Sequence, residues 1–128
     1  DLELFRHIKL LDMQMRSFLL RWIRCMHTRE FELEDSFVIW DSIFLDYYLS
    51  GSKNVGLHFI DCSCLAMLVY LRDIALTKEK GYELLQLYQK YPKVQGQFLR
   101  DLIKLAWNVQ EVLEKPPTHE GDLEKKRK

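Results

Sequence analysis

Arg21-Trp22-Ile23-Arg24-Cys25-Met26-His27-Thr28-Arg29-Glu30-Phe31 is the most distinctive stretch of this 128-residue chain, and Trp40-Asp41 follows it nine residues later. Apolar side chains before the Arg-Glu-Phe turn recur every three or four positions, which predicts one face of an α-helix: Met15, Phe18, Leu19, Trp22, Ile23 and Met26. A second set with the same spacing follows the turn: Leu33, Phe37, Trp40, Phe44 and Tyr47. The sequence therefore predicts a helix, a sharp polar turn and a second helix, with both tryptophans in the core.

The rest of the chain is also typical of helices. Six are predicted, at about residues 2–11, 14–27, 33–49, 57–76, 79–90 and 93–114. A loop rich in turn-forming residues is predicted at positions 51–56. Because proline disrupts the interior of a helix, Pro116-Pro117 is predicted to end the last helix. No strand alternation and no repeat period interrupts this pattern. The predicted fold class is all-α, a multi-helix bundle.

Residues 57–71 are apolar on all sides. A membrane-spanning helix needs about twenty apolar residues, and this run has only about fifteen. A central helix surrounded by other helices explains the pattern better. We therefore expect residues 57–71 to be the most buried segment, and we expect no transmembrane segment.

The composition excludes several classes of function. Nineteen basic and nineteen acidic residues cancel, so no overall positive field is available to hold nucleic acid. The three cysteines and four histidines follow no metal-binding or redox spacing, and no glycine-rich phosphate loop occurs. We expect no catalytic, cofactor-binding or metal-binding residues. Residues 115–128 form a polar tail ending in four basic residues, which we interpret as a disordered, solvated end.

The motifs resemble the C-terminal half of the TBC domain, the module that activates GTP hydrolysis by Rab-type small GTPases. The family carries R-W-x(6)-R-E-F followed by W-D, as in residues 21–31 and 40–41 here. Its long helix, V-D-x(4)-A-M-L-x-x-x-R, is similar to residues 60–72, and its Tyr-Pro helix end is similar to Tyr91-Pro92. One departure is Glu32, where the family often has proline after the turn; a glutamate there still suits the positive end of a helix.

The resemblance implies a division of labour between two halves of the domain. The family's catalytic arginine, in I-x-x-D-x-x-R, and glutamine, in Y-x-Q, belong to its N-terminal half. Neither motif occurs in these 128 residues. The segment most similar to the arginine motif contains Asp12 and Arg16, whose separation is one residue too long. Residues 1–114 are therefore expected to form the C-terminal lobe, inactive by itself. The complete domain would act on a GTP-bound Rab in vesicle trafficking, in the cytoplasm and peripheral to endomembranes.

The motif residues are expected to serve the structure rather than the chemistry. They are Arg21, Trp22, Arg29, Glu30, Phe31, Trp40, Asp41, Asp61 and Arg72. An alternative for Arg29 is the role of an arginine finger on a GTPase phosphate. We favour ion pairs or hydrogen bonds that fasten the turn, because the family's catalytic arginine belongs to a different motif. Asp41 and Asp61 are expected to act as helix caps or network residues.

Two further expectations concern partners. If the chain lacks the other lobe of its domain, it should expose an apolar patch at the cut face, with contributions from Phe5, Ile8 and Met15, and self-association through that patch would follow. The alternative function is a non-catalytic, TBC-like helical scaffold or protein-interaction module, which would lack both catalytic motifs throughout its full sequence.

Overall fold

The computed structural model describes residues 1–51 and 58–115, and every regular element in these two ranges is a helix. Seven helices follow one another: α1 Leu2–Leu10, α2 Arg16–Arg24, α3 Leu33–Ser50, α4 His58–Tyr70, α5 Arg72–Leu76, α6 Gly81–Gln89 and α7 Gln97–Glu114. The predicted all-α class is confirmed, with one helix more than the six predicted. Most of the predicted loop, Leu57 and the tail from residue 116 onward lie outside the described residues.

Helix α4 lies at the centre of the packing. It contacts α7 most extensively and also packs against α2, α3 and α5. Eight of its thirteen residues are buried, a larger fraction than in any other described helix. The prediction that this segment is the most buried is confirmed for residues 58–71. No helix in the described part of the chain is both long and apolar enough to span a membrane.

The predicted helix 57–76 is divided at Leu71 into α4 and α5. Carbonyl groups in the last turn of a helix have no partner within it, so they accept other donors. The Tyr88 hydroxyl donates to the Leu68 carbonyl at 2.9 Å, and the Tyr91 hydroxyl donates to the Met67 carbonyl at 2.7 Å. Two tyrosines from the α6 region thus satisfy the end of α4, a contact that the local sequence of α4 does not reveal.

Three other helix ends differ from the prediction for backbone reasons. Helix α2 ends at Arg24 because Met26 and His27 have positive φ angles of 46° and 66°, which a right-handed helix cannot contain. Helix α7 begins at Gln97, after Gly96 with a φ of 60°. Helix α6 begins at Gly81 because the preceding Lys80 has an extended backbone, with φ −122° and ψ 143°.

The second predicted apolar stripe, on α3, does not face the core. Leu33, Phe37, Phe44 and Tyr47 are each about half exposed, and Trp40 is half-buried. The buried residues of α3 are Ser36, Ile39, Ile43 and Asp46. This stripe prediction was wrong because apolar residues occupy most of the circumference of α3, so spacing alone cannot select the buried line. The position of α4 and α7 selects it, and Gln110 of α7 donates a hydrogen bond to the buried Asp46.

The prediction of an exposed face built from the first helices is partly wrong. Phe5 is 52% exposed, but Ile8 is only 7% exposed and Met15 is half-buried. All three line a groove of about 250 Å³ between α1 and α4, together with residues of α4 such as Leu65 and Val69. The larger set of exposed apolar side chains lies on α3 instead.

Candidate functional site at the elbow between α2 and α3

The elbow, residues 25–32, joins α2 to α3 and is fastened by Arg21. The Arg21 Nε lies 3.0 Å from Oε1 of Glu30, and Nη2 donates to the Gln89 carbonyl at 2.6 Å. Arg21 therefore connects α2, the elbow and the end of α6 with one planar group. The Glu30 side chain is almost fully buried whereas the Arg21 side chain is 38% exposed, so removal of Arg21 would leave a buried carboxylate without its partner.

An aromatic cluster fills the inside of the elbow. Trp22 is fully buried, with its ring centroid 4.7 Å from that of Phe18 and 5.5 Å from that of Tyr91. Phe31, the last residue of the signature, packs 6.0 Å from Tyr91. Burial raises the pKa of Tyr88 to about 12 and raises that of Tyr91 as well, so both hydroxyls remain donors. The predicted core position of Trp22 is confirmed, and Phe31, which was named only as a motif residue of the turn, is buried as well.

Trp40 holds the elbow from the other side. Its Nε1 donates to the Met26 carbonyl at 2.8 Å, although the ring is only half-buried. Met26 and His27 both adopt the left-handed conformation, which costs roughly 1–2 kcal/mol for each non-glycine residue. The bond from Trp40 and the burial of His27 offset this strain.

His27 forms a buried polar pair with Ser63 of α4, and neither residue was singled out from the sequence. The His27 Nε2 lies 2.7 Å from the Ser63 Oγ, which itself donates to the Ile60 carbonyl at 2.7 Å. Because the serine proton is already used, the geometry requires Nε2 of His27 to donate. Burial lowers the pKa of His27 to about 4, so the imidazole is neutral near pH 7. No local signal joins residues 36 positions apart.

The charged motif residues do not converge on a common point. Arg29, Asp41 and Asp61 are exposed, and none of their side chains takes part in a hydrogen bond or ion pair among the described residues. Arg21 and Glu30 fasten the turn among the described residues, and the role expected of Arg29 in fastening it stays a prediction. Asp61 lies in the first turn of α4, where a carboxylate complements the helix dipole.

Arg72, the first residue of α5, contacts acidic residues at the start of α1. Its guanidinium contacts the carboxylates of Asp1, Glu3 and Asp73. Asp1 also caps α1, because its Oδ1 accepts a hydrogen bond from the Leu4 amide at 3.0 Å. Arg72 thus ties the start of α5 to the start of α1.

Thiol and metal chemistry find no support in the described ranges. Burial raises the pKa of Cys62 to about 11 and that of Cys64 to about 12, so both thiols stay protonated and unreactive near pH 7. No group of three or more histidine, cysteine, aspartate or glutamate side chains in residues 1–51 and 58–115 is arranged to hold a metal ion. The contacts at the elbow are therefore structural, and they hold the backbone of the exposed Arg29 in place.

A protein-family profile that matches more than half of the chain identifies the family. The profile of the Rab-GTPase-TBC domain matches residues 1–76, which contain the elbow, α4 and the Arg72 network. The chain belongs to the Rab-GTPase-TBC domain family. The predicted resemblance is therefore confirmed, and the Rab-GTPase-TBC signature corresponds here to the elbow fastened by Arg21 and Glu30.

Several Rab-GTPase-TBC relatives are similar to the chain. TBC1 domain family member 5 homolog B of Dictyostelium discoideum is 36% identical over 111 residues, covering 87% of this chain and 10% of the relative. Human TBC1 domain family member 5 is 36% identical over 92 residues, covering 72% of this chain and 11% of the relative. Mouse TBC1 domain family member 13 is 30% identical over 92 residues, covering 72% of this chain and 21% of the relative. No solved structure matches.

The chain spans about a tenth of the length of the first two relatives. The similarity to these relatives therefore concerns only the part of each that aligns with this chain.

Proposed function

We propose that this chain is the C-terminal lobe of a Rab GTPase-activating domain, and that the complete domain stimulates GTP hydrolysis by a GTP-bound Rab in vesicle trafficking. The observation that carries the proposal is the elbow. Its signature residues build an internally bonded unit, with Glu30 and Trp22 buried, within the region that matches the family profile. We expect the whole protein in the cytoplasm, peripheral to endomembranes.

The chemistry of activation requires groups that these 128 residues do not contain. Small GTPases hydrolyse GTP slowly because the charge of the transition state is poorly stabilised and the attacking water is poorly held. The family's arginine and glutamine motifs address these two problems, and neither motif occurs here. We infer that both catalytic residues belong to the N-terminal half of the domain, outside this sequence.

The role of this chain would be to brace that half. The groove of about 250 Å³ between α1 and α4 offers an apolar surface to another element, with Phe5, Leu65 and Val69 at its edges. Burying apolar surface contributes roughly 25 cal/mol per Å². We propose that the N-terminal half docks at this groove, and that the braced domain forms the surface for the GTPase.

Single-turnover GTP hydrolysis across a panel of Rab proteins tests the proposal. The 128-residue chain should leave the rate unchanged, whereas the longer protein that contains both catalytic motifs should accelerate it by roughly 10³–10⁵. Arg29→Ala is the informative variant, because its guanidinium is exposed at the elbow. Stimulation by the chain alone that disappears in Arg29→Ala would transfer a catalytic role to Arg29.

A different result would favour the scaffold. If the longer protein carries both motifs but accelerates hydrolysis by no Rab, the activator proposal fails. Phe5→Glu provides a further check on the brace, because a charge in the groove should prevent docking of the N-terminal half while Phe5 is exposed enough to spare the fold of this chain.

A further inference from the structure

Helix α3 presents an apolar surface to solvent along its whole length. We call it the α3 outer face; its members are all at least 45% exposed, and they are Phe37, Val38, Phe44, Leu45, Tyr48 and Leu49. Helix α3 packs on α4 and α7 through the opposite side, which carries Ile39 and Ile43. A contiguous apolar surface of this kind is typical of an interaction site.

Two carboxylates run through the middle of the α3 outer face. Glu34 and Asp41 are seven residues apart, so they lie on nearly the same line of the helix. Phe37, Phe44 and Tyr48 lie on one side of this line, and Val38, Leu45 and Leu49 lie on the other. Both carboxylates are exposed, and no described hydrogen bond or ion pair involves either of them.

The charge of α3 is one-sided. Residues 33–50 contain Glu34, Asp35, Asp41 and Asp46 and no lysine or arginine. Asp46 is buried and accepts a hydrogen bond from Gln110, and Asp35 is half-buried, so the exposed charge of the outer face is that of Glu34 and Asp41. The ion pair between Lys93 and Glu32 lies just before the first residue of α3 and involves neither Glu34 nor Asp41.

These carboxylates determine what can cover the face. A partner that buries the apolar rows also removes Glu34 and Asp41 from water, and an unpaired buried charge is strongly unfavourable. A neutral apolar surface would leave both charges unpaired. A symmetric dimer through this face would bring four carboxylates together, and an anionic membrane would repel them. The partner must therefore supply cations between apolar side chains.

We propose that the α3 outer face binds a basic amphipathic helix of a separate protein. Lysine or arginine residues spaced seven apart on that helix pair with Glu34 and Asp41, and its apolar side chains pack into the two rows beside them. The eighteen residues of α3 accommodate a helix of about five turns. The inference is independent of GTPase activation, because it uses neither the elbow nor the groove between α1 and α4.

Three synthetic peptides of about five helical turns test the proposal. Each has the same two rows of leucine and phenylalanine, and the line between the rows carries lysine, glutamine or glutamate at positions seven apart. Fluorescence anisotropy with the 128-residue chain should show that the lysine peptide binds, and that the glutamine and glutamate peptides bind at least about tenfold more weakly. Binding of the lysine peptide should also weaken as salt is raised.

Variants of α3 assign the binding to this face. The double variant Glu34→Gln/Asp41→Asn should weaken the lysine peptide at least about tenfold, and Glu34→Lys/Asp41→Lys should transfer preference to the glutamate peptide. Glu79→Gln, an exposed carboxylate outside α3, is the matched control and should leave binding unchanged. Circular dichroism at 222 nm confirms that each variant is folded.

Several outcomes would overturn the proposal. Equal binding of the three peptides would show that the carboxylates do not select the partner. Sedimentation that reveals a dimer lost in Phe44→Ser would assign the face to a second copy, and binding to phosphatidylserine vesicles lost in the same variant would assign it to a membrane. If the longer protein that contains this chain fails to bind the lysine peptide, the face is covered by another segment of the same polypeptide.

Discussion

Helices α3 and α4 both consist mainly of apolar residues, but a much larger fraction of α4 is buried. In α4, eight of the thirteen residues are buried because α2, α3, α5 and α7 pack around it, and only the line through Asp61 and Leu65 is exposed. In α3, only one line of four residues is buried, and two of these, Ser36 and Asp46, are polar. Large aromatic and aliphatic side chains such as Phe44 and Tyr48 face solvent instead.

The difference shows that apolar content predicts a helix but not the side that is buried. The inner region, made by α4 and the elbow, uses its aromatic residues for stability. The outer region of α3 exposes the same residue types, where they contribute little to the stability of this chain and remain available to a partner. Substitutions of matching residue types in the two regions should therefore differ widely in their effects.

The largest expected effect is that of Trp22→Ala, which removes a fully buried indole from the aromatic cluster. The free energy of unfolding should fall by about 3–5 kcal/mol, measured by urea denaturation. Trp40→Ala is the matched control in α3. Because Trp40 is half-buried and donates one hydrogen bond, its loss should be smaller, about 2 kcal/mol. Equal losses would contradict the contrast between the two regions.

A pH titration of stability tests the inner region next. The pKa of His27 is about 4 in the folded chain against an ordinary value of 6.5, so between these values the unfolded chain binds a proton that the folded chain does not. The free energy of unfolding should fall by up to about 3 kcal/mol as pH falls through this window, and the loss should level off below pH 4.

His27→Gln provides the comparison, because glutamine keeps a donor for Ser63 but does not titrate. Denaturation of both proteins at several pH values gives the difference in slope, which is independent of any constant loss that the substitution causes. Parallel curves for the two proteins between pH 4 and 6.5 would show that His27 does not remain neutral in the fold.

Gly81→Ala tests the junction where α6 approaches the end of α1. An added Cβ would lie 2.4 Å from the Leu11 carbonyl oxygen, a backbone atom that cannot turn aside. We expect a loss of about 1–3 kcal/mol, measured by thermal or urea unfolding. At Gly96 a Cβ meets open space, so the loss for Gly96→Ala reflects only the strain of the positive φ of 60°, about 1–3 kcal/mol. No loss for Gly81→Ala would mean that α6 can move away freely.

The smallest effect is expected on the α3 outer face. Tyr48 is 82% exposed, so Tyr48→Ser should change the free energy of unfolding by less than about 0.5 kcal/mol. Tyr88→Ser, at a fully buried tyrosine that donates to the Leu68 carbonyl, should cost several-fold more in the same denaturation experiment. A large loss for Tyr48→Ser would indicate that α3 is covered in this chain.

Much of the architecture could be predicted from local patterns. Periodic apolar residues indicated the helices, and the continuous apolar run indicated the buried helix α4, because both signals depend on neighbours within a few turns. The core position of Trp22 followed from the same spacing. The buried line of α3 did not, because most of its circumference is apolar.

The sequence by itself determined the all-helical class, the family and the absence of both catalytic motifs from these 128 residues, since these are properties of residue order. Only the tertiary structure decided that Arg21 pairs with Glu30 at the elbow, and that His27 pairs with Ser63. It also decided that Asp41 faces solvent among apolar side chains. These outcomes depend on which surfaces meet, and helix packing brings together residues that are far apart in the chain.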